Sequence, residues 1–204
     1  TLLSHSDEID IVHMSWGAST NIEEINDLHD DMLSRGIHDV VAAGNTGEDG
    51  GSPATTRTAF SVGAIDGEGN LTRFSSSDPL RENPDIVAVG KDVLTVRAPN
   101  TSLGSIVDDE TIKVSGTSFS APYVTSAYVN AYYRGEDNID EMLKIGSEDI
   151  AELEADGDGI LKLADALDVE HKEIKANNNV WYGDDTLNID LSWVTDGISG
   201  VDVD

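Results

Sequence analysis

The sequence predicts an α/β fold, a mostly parallel sheet flanked by helices. Three observations carry that prediction. Apolar runs of strand length alternate with an amphipathic run of helix length. The connections between them suit right-handed crossovers, which parallel neighbours require. A later uncharged stretch is rich in small residues, as suits a helix lying close on a sheet.

The elements follow in order. "DEIDIVHMSWG" reads as a strand from Ile9 to Ser15, ending at Gly17. "TNIEEINDLHDDMLSRG" reads as a helix with Ile22, Ile25, Leu28, Met32 and Leu33 on one face. Thr20 or Asn21 can cap it, Glu23 and Glu24 suit its positive N-terminus, and Gly36 suits its end. "HDVVAAGN" is a second strand of buried type. "AFSVGAID" and "PDIVAVG" are two more, with "GEGN" and "SSSDPLRENP" as punctuation between them. "VSGTSFSAPYVTSAYV" reads as a loop entering a helix from about Ser120 to Arg134. Ala121, Ser126, Ala127 and Ala131 would let that helix pack closely. A further helix is expected over Ile139 to Ile145. "DGDGILKLADALD" reads as a turn, a short extended piece and a last helix. From Lys172 the chain alternates apolar positions between polar turn residues, as hairpins do. The expected organisation is therefore a domain over 1–170 and the start of a β-rich C-terminal extension over 171–204. Residue 1 is Thr, and "DGISGVDVD" brings no closing element, so both ends are expected to be cut from a longer chain.

The 204 residues are enough for one domain with a full core. There is no cysteine, which excludes disulfides and thiolate metal sites. Forty acidic and 12 basic residues give a net charge of -28. Nucleic acid is excluded as a partner, because phosphate binding needs clustered Lys and Arg. No signal peptide or membrane segment is visible. Regular apolar runs argue for a folded protein with an acidic surface rather than for disorder. Self-repulsion would weaken such a fold at low salt, and a Debye length of roughly 3 Å at 1 M would relieve it. A salt-loving source is the expectation. Bound calcium is the rival explanation of the charge.

Two residues stand out chemically. Ser118 precedes an expected helix, among unsatisfied backbone N–H groups in a positive local field. Those donors can stabilise an oxyanion during acyl transfer. Gly116 permits close approach of a substrate backbone, and Pro122 suits the first helical turn. The bland alternative is a helix cap. Asn45 follows a buried strand in a Gly-Asn-Thr-Gly turn. It is either a turn residue or an amide pointed at developing negative charge.

These stretches together resemble the subtilisin-like serine proteases, the subtilases. "GTSFSAP" is close to their serine motif, Gly-Thr-Ser-Met-Ala-Xaa-Pro, and "VVAAGNTG" to the segment carrying their oxyanion-hole asparagine. "DIVHMSWGAS" is similar to their substrate-binding strand. "SPATTRTAFSVGAID", "LTRFSSSD", "PDIVAVGKDVLTV" and "GDGILKLADALD" match further family segments in order, so the resemblance covers roughly residues 9 to 168. It implies a subtilisin-like fold whose N-terminal part is missing. It implies Ser118 as nucleophile, and Asn45 with the Ser118 N–H as oxyanion donors. Ser15, Trp16 and Gly17 would pair with a polypeptide substrate as an added strand. Ala42, Ala43 and Gly44 would line the pocket before the scissile bond, an open slot suited to a bulky apolar side chain. An extracellular or cell-surface location follows from the same resemblance.

The sequence also departs from the family. Neither the Asp-Thr/Ser-Gly nor the His-Gly-Thr-His motif is present. None of the five histidines, His5, His13, His29, His38 and His171, is followed by Gly-Thr. His13 reads as a strand or core histidine. Without a base a serine is a poor nucleophile, so the chain alone should be inactive. Smaller departures are Phe119 for Met, Val89 for Pro, Trp16 for Leu, and Tyr123 where relatives carry a histidine. Two other readings stay open: a non-catalytic subtilase-like scaffold, and an acidic calcium-dependent surface module. "DGDG" at 156–159 offers two carboxylates on a turn but lacks the full pattern of a calcium loop, so a solvated turn is the favoured reading and a structural calcium ion the alternative. No other cofactor and no metal-ligand set is expected.

Overall fold

The computed structural model describes residues 2–78, 80, 83–136, 138–150, 155–162 and 166. All of them belong to a compact unit spanning Thr1–Val169. The expected β-rich extension lies outside the described residues.

A short 3-10 helix over Leu2–His5 leads into β1 (Ile11–Met14), α1 (Glu23–Ser34), β2 (His38–Ala42), β3 (Phe60–Ile65) and β4 (Ile86–Val89). Three small strands follow, β5 (Val93–Val96), β6 (Ser105–Ile106) and β7 (Thr111–Val114). Helices α2 (Thr117–Tyr133) and α3 (Ile139–Ile145) come next, then β8 (Ser147–Glu148) and β9 (Ile160–Leu161). The main sheet has the order β1-β2-β3-β4-β9-β8. Its pairs are parallel except β8 with β9. Among the described residues β1 is an edge strand, with only β2 beside it. The α/β class with a mostly parallel sheet is therefore the observed one.

Alternation along the strands divides the core. Val40, Ala42, Phe60, Val62, Ile86 and Ala88 face Ala121, Val124, Ala127, Tyr128 and Ala131 of α2 and Leu143 of α3. Met14 and Val41 face the other way, onto Met32 of α1 and onto Ile37, Ala54 and Ala59. Each such valine or leucine, fully buried, contributes about 1.5–3 kcal/mol relative to exposure. Helices thus cover both faces, as a parallel sheet demands. Of the small residues expected to carry α2, Ala121, Ala127 and Ala131 are buried but Ser126 is exposed.

The face of α1 also differs from its expected one. Met32 and His29 are buried, whereas Leu28 and Leu33 are 46% and 37% exposed. The apolar count misled because His29 is bonded to the buried carboxylate of Asp39 on β2, which turns a histidine inward. No side chain of Thr20 or Asn21 caps α1; the N-cap is Ile22, whose N–H donates to Ser52 Oγ at 2.7 Å. Gly36 does close the helix, with φ +79, a left-handed position that favours glycine.

Residues 93–114 hold an element with no counterpart in the expected order, an antiparallel sheet with the order β5-β7-β6. Its strands are short, two to four residues, and much of their surface is exposed. Neither a long apolar run nor a clear alternation announces it.

Candidate active site

β1 and β2 both run toward one edge of the sheet, and the chain leaving each strand carries a candidate residue there. Ser15 follows β1 and Asn45 follows β2. The carboxyl edge of parallel strands is where open α/β sheets bind ligands. The N-terminus of α2 enters from the side, bringing Ser118.

α2 starts at Thr117, earlier than the expected Ser120, so Ser118 lies in the first helical turn rather than in the loop before it. The cap explains the difference. Gly116 occupies the N-cap position and has no side chain to offer. Asn45 supplies the cap from far away in sequence: its Oδ1 accepts from Thr117 N–H at 2.8 Å and from Thr117 Oγ at 3.2 Å. The carbonyl side of the amide is thereby used, which leaves Nδ2 as its free donor. A Cβ on Gly116 would lie 3.4 Å from that nitrogen. The Ser118 N–H also has no partner among the described residues. Two donors thus stand free on residues that line one cavity with the Ser118 hydroxyl, at the positive end of a helix.

Gly44 fixes the approach of Asn45. Its φ is +114, and a Cβ there would stand 2.9 Å from Ser76 Oγ. The Gly44 N–H donates to Thr117 Oγ1 at 3.1 Å, tying the end of β2 to the start of α2.

Pro122 lies inside α2, beyond the first turn where the sequence suggested it would fit. Having no N–H, it leaves the Ser118 carbonyl without its helical donor. Ser15 takes that role: its Oγ donates to Ser118 O at 2.9 Å. In return Ser118 Oγ donates to Ser15 O at 3.1 Å.

His13 sits on β1, as expected, but it is not a core histidine. Its exposed ring bridges Ser15 Oγ through Nε2 at 2.7 Å and Thr125 Oγ1 through Nδ1 at 2.8 Å. Partial burial against α2 lowers its pKa below the ordinary value. It contacts Ser15 rather than the Ser118 hydroxyl, and no base is bonded to Ser118 Oγ among the described residues.

The structure brings the remaining expected residues together. Ser15, Trp16, Gly17, Ala42, Ala43, Gly44, Asn45 and Ser118 all line one cavity of about 310 Å³. The backbone groups of Trp16 and Gly17 carry no hydrogen bond among the described residues, and Ala18 N–H donates to Ser52 O at 2.7 Å just beyond them. The cavity also has walls that the sequence motifs did not indicate: Asp49, Gly50 and Gly51. They come from a loop whose local pattern reads only as a turn.

The "DGDG" loop does not fit a calcium ion. Asp156 is buried and accepts from Ile150 N–H at 3.2 Å. Lys144 pairs with Asp85 at 2.6 Å, and its charge also acts on Asp158. A lysine thus supplies the positive charge at that corner. The solvated-turn reading holds for Gly157 and Asp158, which are exposed, but not for Asp156, which is turned inward to hold the loop.

Comparison with known proteins agrees with this architecture. The model of the subtilase family matches residues 3–137. The major intracellular serine protease of Bacillus subtilis is 29% identical over 126 residues, 59% of this chain and 36% of that protein. A cuticle-degrading serine protease of Arthrobotrys oligospora is 37% identical over 125 residues, 60% of this chain and 27% of that protein. Subtilisin DY of Bacillus licheniformis is 32% identical over 125 residues, 58% of this chain and 41% of that protein. The chain therefore spans less than half the length of these curated relatives. Among solved structures, the prenylagaramide maturation protease PagA superposes with a TM-score of 0.65 at 24% identity, covering 81% of this chain and 64% of that one. The patellamide maturation protease PatA gives 0.64 at 24%, covering 81% and 67%. The family match runs through the strands leading to Ser15 and Asn45 and through the helix that carries Ser118, and on that ground the chain belongs to the subtilase family.

Proposed function

We propose that this chain carries the nucleophile half of a serine endopeptidase. The observation that supports it most is the Asn45–Thr117 lock, which spends the carbonyl side of the Asn45 amide on the helix and leaves its N–H₂ free on a residue that shares a cavity with Ser118. In the reaction, Ser118 Oγ bonds to the carbonyl carbon of a peptide bond while its proton passes to a base. The carbonyl oxygen becomes an anion held by Asn45 Nδ2 and the Ser118 N–H. The carbon–nitrogen bond then breaks, the amine leaves with the proton from the base, and water hydrolyses the acyl-enzyme. Trp16 and Gly17 offer unpaired backbone to a polypeptide substrate as an added strand.

The base and its orienting carboxylate are contributed by polypeptide outside this sequence. Ser118 donates to a carbonyl here, and such a serine keeps its proton. A non-catalytic scaffold uses Asn45 only as the cap of α2 and gives no role to its free N–H₂. A calcium-dependent surface module finds no support in the "DGDG" loop.

The acidic surface supports a salt-rich environment. Membership of the subtilase family supports an extracellular or cell-surface location for the parent enzyme, although the Bacillus subtilis relative is intracellular by its name. Among the described residues no helix is long and apolar enough to cross a membrane.

The test is hydrolysis of a fluorogenic peptide by the full-length protein, by its Ser118→Ala variant and by this chain alone. The full-length protein should cleave, and the other two should not. Turnover by the Ser118→Ala variant would refute the assignment.

A further inference from the structure

The cavity beside Ser118 has a single charged residue in its lining, Asp49. We propose that Asp49 makes this cavity select a cationic side chain, arginine above lysine, on the acyl side of the scissile bond. The inference rests on the endopeptidase reading and names the substrate class for that site.

Asp49 is exposed, and no cation or hydrogen-bond donor pairs with it among the described residues. A carboxylate facing a cavity without a partner is a ready acceptor for a charged group, and charge-assisted hydrogen bonds are the strong ones. Nothing in the lining offsets it. The other walls are small, hydroxylated or amide-bearing, apart from Trp16.

Trp16 is the second feature. It lines the same cavity and is 55% exposed. An indole attracts a cation placed over its face. A planar guanidinium can stack on the ring and also meet a carboxylate with two parallel N–H groups, which an ammonium cannot do. That favours arginine over lysine.

The lining around Asp49 is polar rather than greasy. Gly50 lines the cavity next to Asp49, and a Cβ there would stand 2.9 Å from both Ala43 O and Asn83 Nδ2, so glycine is what lets this wall pack so closely. Asn83 behind it is 2% exposed, and neither atom of its amide has a partner. An aromatic ring would gain little from such surroundings. The small residues at 42–44 make the slot open; Asp49 and the hydroxyls of Ser19, Thr46 and Ser76 set its polarity. The net charge of -28 acts in the same direction, raising the local concentration of cationic substrates.

The experiment uses the full-length protein and three peptides that differ only in the residue before the cleaved bond, Arg, Lys or Phe, at constant salt. Fluorophosphonate labelling, whose reagent carries no such side chain, reads the nucleophile separately. The expected order of kcat/KM is Arg above Lys above Phe. Asp49→Asn should lower the Arg-to-Phe ratio about 30-fold, the scale of one hydrogen bond to a charged group, and Asp49→Glu should restore the preference. Ser118 labelling together with a Phe preference in the wild type, or with an unaltered ratio in Asp49→Asn, overturns the specificity alone. Absence of both labelling and cleavage overturns the endopeptidase reading and this inference with it.

Discussion

Ser15 and Ser118 exchange hydrogen bonds, each hydroxyl donating to the other's backbone carbonyl, at 2.9 and 3.1 Å. The exchange exists because Pro122 cannot donate to Ser118 O. It fastens the first turn of α2 to the end of β1 and so fixes where the candidate nucleophile stands.

Replacing Ser15 tests that fastening. Ser15→Ala should cost about 1 kcal/mol in a denaturant melt, the net worth of a typical hydrogen bond. It should also slow labelling of Ser118 in the full-length protein. Ser15→Thr, which keeps the hydroxyl, should recover most of both.

Asn45→Ala removes two things at once, the distant cap of α2 and the free amide donor. Turnover should fall by about 10²–10³, the loss measured for removal of one oxyanion donor in subtilisin, itself a subtilase. The lost cap should lower stability by about 1 kcal/mol. Steady-state kinetics and a thermal melt on the same preparation separate the two effects.

Asp140 should give a pH signature away from the active site. Burial raises its pKa above the ordinary 3.8, although Tyr128 donates to it at 2.8 Å and pulls the other way. The folded state then holds a proton that the unfolded chain has lost. This group's stabilisation is therefore fully present below 3.8 and disappears as pH rises through the higher folded value. Melts of the wild type and Asp140→Asn, compared across that window, should show the wild type losing ground as pH rises. A constant difference would disprove the assignment.

Salt should stabilise the protein. Each 1 kcal/mol of repulsion screened raises the midpoint by about 2–4 °C for a chain of this size. A melting series from low to multimolar salt reads it, and a midpoint independent of salt would count against the halophilic expectation.

Much of this was legible in the sequence where the determining contacts are local. Parallel strands announce themselves as apolar runs, and the helix over Ile139–Ile145 has its observed bounds. The glycine ending α1 was legible for the same reason. Long-range contacts hid the rest. The start of α2 depends on a cap from Asn45, the inner face of α1 on a histidine bonded to Asp39, and the place of His13 on partners at 15 and 125. The small sheet over 93–114 was missed because its strands are too short and too exposed to show a pattern. Motif spacing brought eight residues to one cavity, but Asp49 could not be found this way, because it lies in a loop that joins the cavity only in three dimensions.

The proposed reaction turns on Ser118 as the nucleophile. Fluorophosphonate treatment of the full-length protein, followed by peptide mapping, tests it most directly. The adduct should sit on Ser118 and vanish in Ser118→Ala. An adduct on another residue, with Ser118 unmodified, would show that Ser118 is not the nucleophile.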